Sequence, residues 1–232
     1  MVNSTTITAI TPAHAASAAS VLVTTATGTN VANSLFTYAA TTTTALASSV
    51  NPSVFGQSVT FTATVTGSSG TPSGTITFKN GLTTLGTGTL NGSGVATFSI
   101  SSLPVGSTYS ITAEYGGDVN FVTSTSSAVN QVVNQASSAT ALASSVNPSV
   151  FGESVTYTAT VAATAPGAGT ATGSVEFFDG QTSLGIVTLS SGFATSAAIT
   201  NFGVSTHSIT AVYSGDASFV TSTSSPVSQV VN

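Results

Sequence analysis

No cysteine occurs among the 232 residues. Disulfides, thiolate-held metals and a thiol nucleophile are therefore excluded. Positive charge is nearly absent too: Lys79 is the single cation against six carboxylates, for a net charge of −5. Nucleic-acid binding needs clustered Lys and Arg to displace counterions from phosphates, and adsorption to an anionic membrane needs the same. One ammonium group supplies neither. Charged residues of both signs reach only 3%, against roughly 25% in an ordinary soluble domain, so hydroxyls must keep the surface wet. Tryptophan is missing. No uninterrupted apolar run approaches the roughly 18 residues of a membrane span, and no membrane insertion is expected. The first residues carry neither a charged leader region nor a continuous apolar one, so any export signal is expected to lie outside this sequence.

What is present is Thr, Ser, Val and Gly in a repeating order. The segment ALASSVNPSVFG at Ala45–Gly56 recurs unchanged at Ala141–Gly152, an offset of 141 − 45 = 96. Later, Ile111–Asn134 matches Ile209–Asn232 at an offset of 209 − 111 = 98. These matches define two tandem units, Thr41–Asn134 and Gln135–Asn232, each the size of one β-sandwich and well above the period of a solenoid. Residues 1–39 stand apart from both.

Inside each unit the period is two. Val59, Phe61, Ala63 and Val65 alternate with threonines, and Val155, Tyr157, Ala159 and Val161 repeat the order in the second copy. Strict alternation marks a strand with one dry and one wet face. Ile76 and Phe78, matched by Val175 and Phe177, read the same way, as do Ile111, Ala113 and Tyr115, matched by Ile209, Ala211 and Tyr213. Asn80-Gly81 and Asp179-Gly180 predict type I′ hairpins, and Asn91-Gly92 is a further turn candidate. Asn51-Pro52 and Asn147-Pro148 interrupt the first strand of each unit, because proline cannot donate to a ladder. About seven strands per unit are expected, and no helical period is sustained. The fold class is all-β: two tandem sandwiches joined by a short connection near Asn134–Ala139 that allows modest bending.

The two units resemble the bacterial immunoglobulin-like domains of group 3. The resemblance is carried by GQSVTFTATV at Gly56–Val65, GTPSGTITFKNG at Gly70–Gly81 and ITAEYGGDVNF at Ile111–Phe121. The second copy supplies GESVTYTATV at Gly152–Val161, GSVEFFDG at Gly173–Gly180 and ITAVYSGDASF at Ile209–Phe219. It implies Ig-like sandwiches in an extracellular or cell-surface setting, with no enzyme activity and no shared functional residues. The segment Ile7–Tyr38 is similar to the C-terminal part of an IPT/TIG domain, with strands expected near Thr6–Ile10, Val21–Thr25 and Leu35–Tyr38. A helix over Ala13–Ser20 competes, since alanine favours helix; Pro12 and the flanking strand patterns favour a loop.

Catalysis needs ionisable groups brought together. The acids are Glu114, Asp118, Glu153, Glu176, Asp179 and Asp216; the imidazoles are His14 and His207. No catalytic, metal or cofactor-binding residue is assigned, and no cofactor is expected. His207 stands where the first unit has Tyr109, so a core-edge aromatic is the expected role. Asp118 and Asp216 recur at one place. With Asn120 or Ser218 they could offer oxygen to calcium, but that ion takes six to eight oxygens and usually several carboxylates, so an Asx turn is expected. Lys79 could form an isopeptide link, yet its counterpart is Phe178, and a solvent-facing lysine is the expectation. Of Phe177 and Phe178, one must face outward and could touch a partner.

The expected role is a non-catalytic spacer, stalk or adhesive module of a larger bacterial surface or secreted protein, each sandwich about 35–40 Å long at 3.3 Å per residue. Its expected partners are neighbouring Ig-like modules, with a surface glycan or protein ligand as a further possibility. A carbohydrate-binding module of an exoenzyme is an alternative, weakened by the missing tryptophan. Self-assembly through open strand edges in residues 1–39 is another.

Overall fold

The computed structural model describes residues 39–232 throughout, and before them the strands Ala18–Val21, Thr24–Thr25, Gly28–Thr29 and Asn33–Thr37. Every regular element among the described residues is a strand. Each repeat holds seven strands longer than two residues, as its turn spacing predicts.

The first repeat is built from two sheets. One orders Val95–Ile100, Val59–Gly67 and Thr42–Ser48. The other runs from Ser53–Val54 through Val129–Asn134, Gly106–Tyr115 and Thr75–Asn80 to Thr83–Thr89. The second repeat copies this plan with Ser138–Ser144, Tyr157–Ala163 and Phe193–Thr195 in one sheet. Thr182–Thr188, Ser174–Asp179 and Thr206–Tyr213 are neighbours in the other, and Val227–Val230 pairs with the last of these.

The two-residue period becomes burial. Val59, Phe61, Ala63 and Val65 are buried while Thr60, Thr62 and Thr64 are only partly so. Phe177, Ile209, Ala211 and Tyr213 are all fully enclosed in the second repeat. Each large side chain so enclosed contributes about 1.5–3 kcal/mol, the main force holding a sheet pair with so few charges. Spatial proximity groups the chain into two compact units. Among residues 39–232, one comprises the chain up to Ala47, Phe61–Phe98 and Ser110–Val129; the other Ser48–Thr60, Ser99–Tyr109 and Asn130–Asn232.

The turns depart from expectation. Asn80 pairs with Thr83 and Asp179 with Thr182, so the loops proper are Gly81-Leu82 and Gly180-Gln181. Only the glycine has positive φ, 56° at Gly81 and 58° at Gly180. That is the II′ pattern, with glycine at the first central position. Strand pairing extended through the Asn and Asp, which placed the glycine one step earlier in the loop than a I′ turn requires. At Asn91-Gly92 the left-handed residue is Gly94 (φ 72°), and Asn91 Oδ1 accepts the Ser93 and Val95 N–H groups. Two consecutive positive φ values occur instead at Ser191-Gly192, 51° and 82°, closed by reciprocal bonds between Ser190 and Phe193.

Of the elements expected before residue 39, the one near Thr6–Ile10 lies outside the described residues. Ala18–Val21 pairs antiparallel with Asn33–Thr37. Ala18–Ser20 is therefore neither loop nor helix; ladder pairing outweighs the helical preference of alanine there. The remainder of Ala13–Ser20, with His14, is outside the described residues.

Candidate functional site

The recurring aspartates are used by the fold. Asp216 Oδ2 accepts the Thr172 N–H (2.8 Å) and Oγ1–H (2.6 Å), and Oδ1 accepts the N–H groups of Ser218 (2.7 Å) and Phe219 (2.8 Å). Burial alone would raise this carboxyl, but the four donors outweigh it and hold it at about 2. Asp118 repeats the arrangement on Ser73 and Asn120, and the Ser73 hydroxyl is the chief cause of its own value of about 2. Each is the expected Asx turn, with an added clasp to a second loop. Both oxygens already face N–H and O–H groups, the wrong polarity around them for a cation. Among the described residues, no three of His, Cys, Asp and Glu gather.

His207 forms the most site-like constellation. Its Nδ1 lies 2.6 Å from Asp179 Oδ2, and its Nε2 lies 3.1 Å from Ser205 Oγ and 3.0 Å from the Gly203 carbonyl oxygen. The residue types are those of a serine-hydrolase triad, but the electrostatics are not. A carbonyl oxygen only accepts, so Nε2 must carry a proton, and Nδ1 carries one toward Asp179. Gly203 first, then Asp179, favour the doubly protonated ring against the opposing effect of burial, and the His207 pKa is raised. With its proton directed at the Gly203 carbonyl, Nε2 offers no lone pair to the Ser205 hydroxyl in this arrangement. Phe202 lies against the ring, the two centroids 4.5 Å apart and the planes tilted by 38°. In the first repeat, Tyr109 makes the equivalent reach, its hydroxyl donating to the Pro104 carbonyl at 2.7 Å. Both act as the corner residue of an Ig-like sandwich, tying a strand start to the backbone just upstream.

Lys79 is on the outward face of its strand and pairs there with Glu114 on the neighbouring strand. Its register partner is Thr112, which sets Glu114 within reach of the long side chain. Glu153 accepts the Val150 N–H, and Glu176 accepts from Ser183. Phe177 is buried and Phe178 is partly covered.

Sequence reasoning missed two features. Gln131 and Gln229 are fully buried. Gln229 Oε1 accepts from Ser144 Oγ (2.6 Å), and its Nε2 donates to the Val146 carbonyl (2.9 Å) and Ser149 Oγ (3.2 Å). Gln131 does the same with Ser48, Val50 and Ser53. The signal was a glutamine at an inward position of an alternating strand.

The second missed feature is Phe55. It lies in the same compact unit as the whole second repeat and packs against that repeat's core. Its ring meets Phe219 edge-on at 5.6 Å, and its carbonyl accepts the Ala168 N–H at 3.3 Å. A Cβ on Gly56 would fall 2.2 Å from the Ala168 oxygen, so no side chain fits there. The receiving loop is longer in the second repeat: the offset between copies is 161 − 65 = 96 before it and 175 − 76 = 99 after it. Those three added residues, in a stretch containing Gly167-Ala168-Gly169, were the legible trace.

Two mainly antiparallel sheets, a corner residue and Asx-clasped strand turns define an immunoglobulin-like sandwich present twice. The chain belongs to the bacterial Ig-like domain (group 3) family, which it matches over residues 43–134 and 142–232. The family match does not extend to the segment read as IPT/TIG-like. Among solved structures, the chain is similar to the fibronectin(III)-like modules of Clostridium thermocellum CbhA. The identity is 19%, with 81% of this chain and 92% of that one covered and a TM-score of 0.33. It is also similar to a 1.5-MDa bacterial ice-binding adhesin, at 13% identity, 84% and 66% coverage and a TM-score of 0.35. A third is the mouse nectin-like molecule 4 ectodomain, at 12% identity, 81% and 63% coverage and a TM-score of 0.35. No curated protein matches the chain.

Proposed function

We propose that this chain is a non-catalytic spacer or adhesive module of a bacterial surface or secreted protein. One observation carries the reading: the chemistry-bearing side chains that recur between copies are consumed by the fold. Asp118 and Asp216 saturate on loop donors, and His207 repeats the corner bond of Tyr109. Such side chains hold modules together and leave little to offer a substrate. Small-angle X-ray scattering of the full chain is the test. A maximum dimension near the sum of two sandwich lengths is expected for a spacer. A particle no longer than one sandwich would overturn the reading.

A further inference from the structure

The Val54-Phe55 pair and its copy, Val150-Phe151, have one sequence and two environments. Phe55 is partly covered by the second repeat, whereas Phe151 is 67% exposed and Val150 60%. The backbone around them is the same. Phe55 N–H donates to the Asn134 carbonyl at 2.9 Å, and Phe151 N–H donates to that of Asn232 at 2.9 Å. Gly56 and Gly152 share a positive φ, 77° and 83°, yet Ala168 crowds the first and nothing lies within 4 Å of the second.

The surroundings differ in the same sense. Asn134, whose carbonyl takes the Phe55 N–H, lines a groove together with Val105, Val132, Val133, Gln135 and Val220. At the matching end of the second repeat, Val204 is 67% exposed and Val230 36%. The bonds Ser149 N–H to Val230 O and Val231 N–H to Ser205 O bring these residues to the edge that carries Phe151. Val150, Phe151, Val204 and Val230 together make an apolar patch at this end, and such a patch marks a contact face where its copy in the same chain is already covered.

We infer that this end of the second repeat, centred on Phe151, is a docking face for a further Ig-like module joined directly after Asn232. The occupant is fixed by the precedent within the chain. It presents a Gly-Ala-Gly loop whose N–H meets the Phe151 carbonyl and whose small residues clear Gly152, with an aromatic at the position of Phe219 meeting the ring edge-on. The inference rests on the modular reading above and names its partner and joint.

The absence of cysteine makes the test clean. Phe55→Cys and Phe151→Cys each place one thiol in an otherwise thiol-free chain. Reaction with Ellman's reagent is followed in the 232-residue chain and in a chain extended after Asn232 by a second copy of residues 135–232. In the 232-residue chain the thiol at 151 should react at the rate of a free thiol and that at 55 at least ~10-fold slower. In the extended chain the thiol at 151 should slow to match 55. Equal rates at 151 in the two chains would overturn the inference, as would equal rates at 55 and 151 in the 232-residue chain. Protection at 151 in the 232-residue chain that is lost on dilution would assign the face to a second copy and overturn the tandem module. A folded-back scattering profile would defeat the spacer reading while leaving the thiol rates as they are, so the two failures are distinguishable.

Discussion

Replacing Gln229 with leucine tests whether the buried amide is structural glue. The side chain is fully enclosed, so water cannot replace what leucine removes. Ser149 Oγ, itself 2% exposed, loses the Nε2 donor. Ser144 Oγ keeps a bond to the Val146 carbonyl at 3.0 Å, and the Val230 carbonyl keeps the Ser149 N–H, so neither is stranded. One stranded buried hydroxyl costs about 1–3 kcal/mol, and each lost hydrogen bond about 1 kcal/mol more. Better burial of leucine offsets part of this, leaving a net loss of about 2–4 kcal/mol. For a domain of roughly 100 residues that lowers Tm by about 10–20 °C. Differential scanning calorimetry of Gln229→Leu and, separately, Gln131→Leu should show one transition lowered in each variant. A Tm within about 2 °C of the parent would refute the reasoning, because it would mean these polar partners are satisfied elsewhere.

The titrating groups carry three further predictions. His207 has a raised folded pKa, so the stability it adds is complete below its unfolded pKa of about 6.5 and is lost as pH rises through the folded value. Thermal melts between pH 5 and 9 should therefore show a decline that His207→Tyr, copying Tyr109, removes; an unchanged slope would contradict the corner assignment. Asp216 is held at about 2, so its contribution is present above about 3.9 and lost as pH falls through 2. Asp216→Asn should lower Tm at pH 7 and flatten the loss between pH 4 and 2, measured by circular dichroism. Tyr157 is pushed up to about 12, first by burial and then by the charge of Asp179, and its hydroxyl has no hydrogen-bond partner among the described residues. Tyr157→Phe should be neutral or stabilising by up to about 1 kcal/mol; a fall in Tm of several degrees would reveal a partner.

The inward stripes were legible because burial obeys a period of two and that period is written in the side chains themselves. Val59, Phe61 and Ala63 announce their face without reference to anything distant. Turn identity was only half legible: Asn80-Gly81 marks a hairpin, but where pairing stops depends on the opposite strand. The roles of Asp118 and Asp216 were readable as turns, while their clasps to Ser73 and Thr172 join positions more than forty residues apart. The rest was hidden for a sharper reason. Phe55 and Phe151 sit in identical dodecapeptides, so no local pattern separates the covered ring from the bare one. The difference lies in the distant loop at Gly167-Ala168-Gly169, which reaches Phe55 alone. The partner of Lys79 was hidden similarly, because Glu114 meets it across a strand pair.

In each repeat, a short segment just past the first strand runs alongside the last strand in the same direction. Ser53 and Val54 face Val133 and Asn134, and Ser149 faces Val231. Tension applied through the two ends of such a repeat pulls these parallel partners lengthwise past each other. Their evenly spaced, slanted hydrogen bonds are loaded together, whereas a hairpin opened from its tip gives way one bond at a time. The geometry that closes each sandwich thus also makes it resist being stretched.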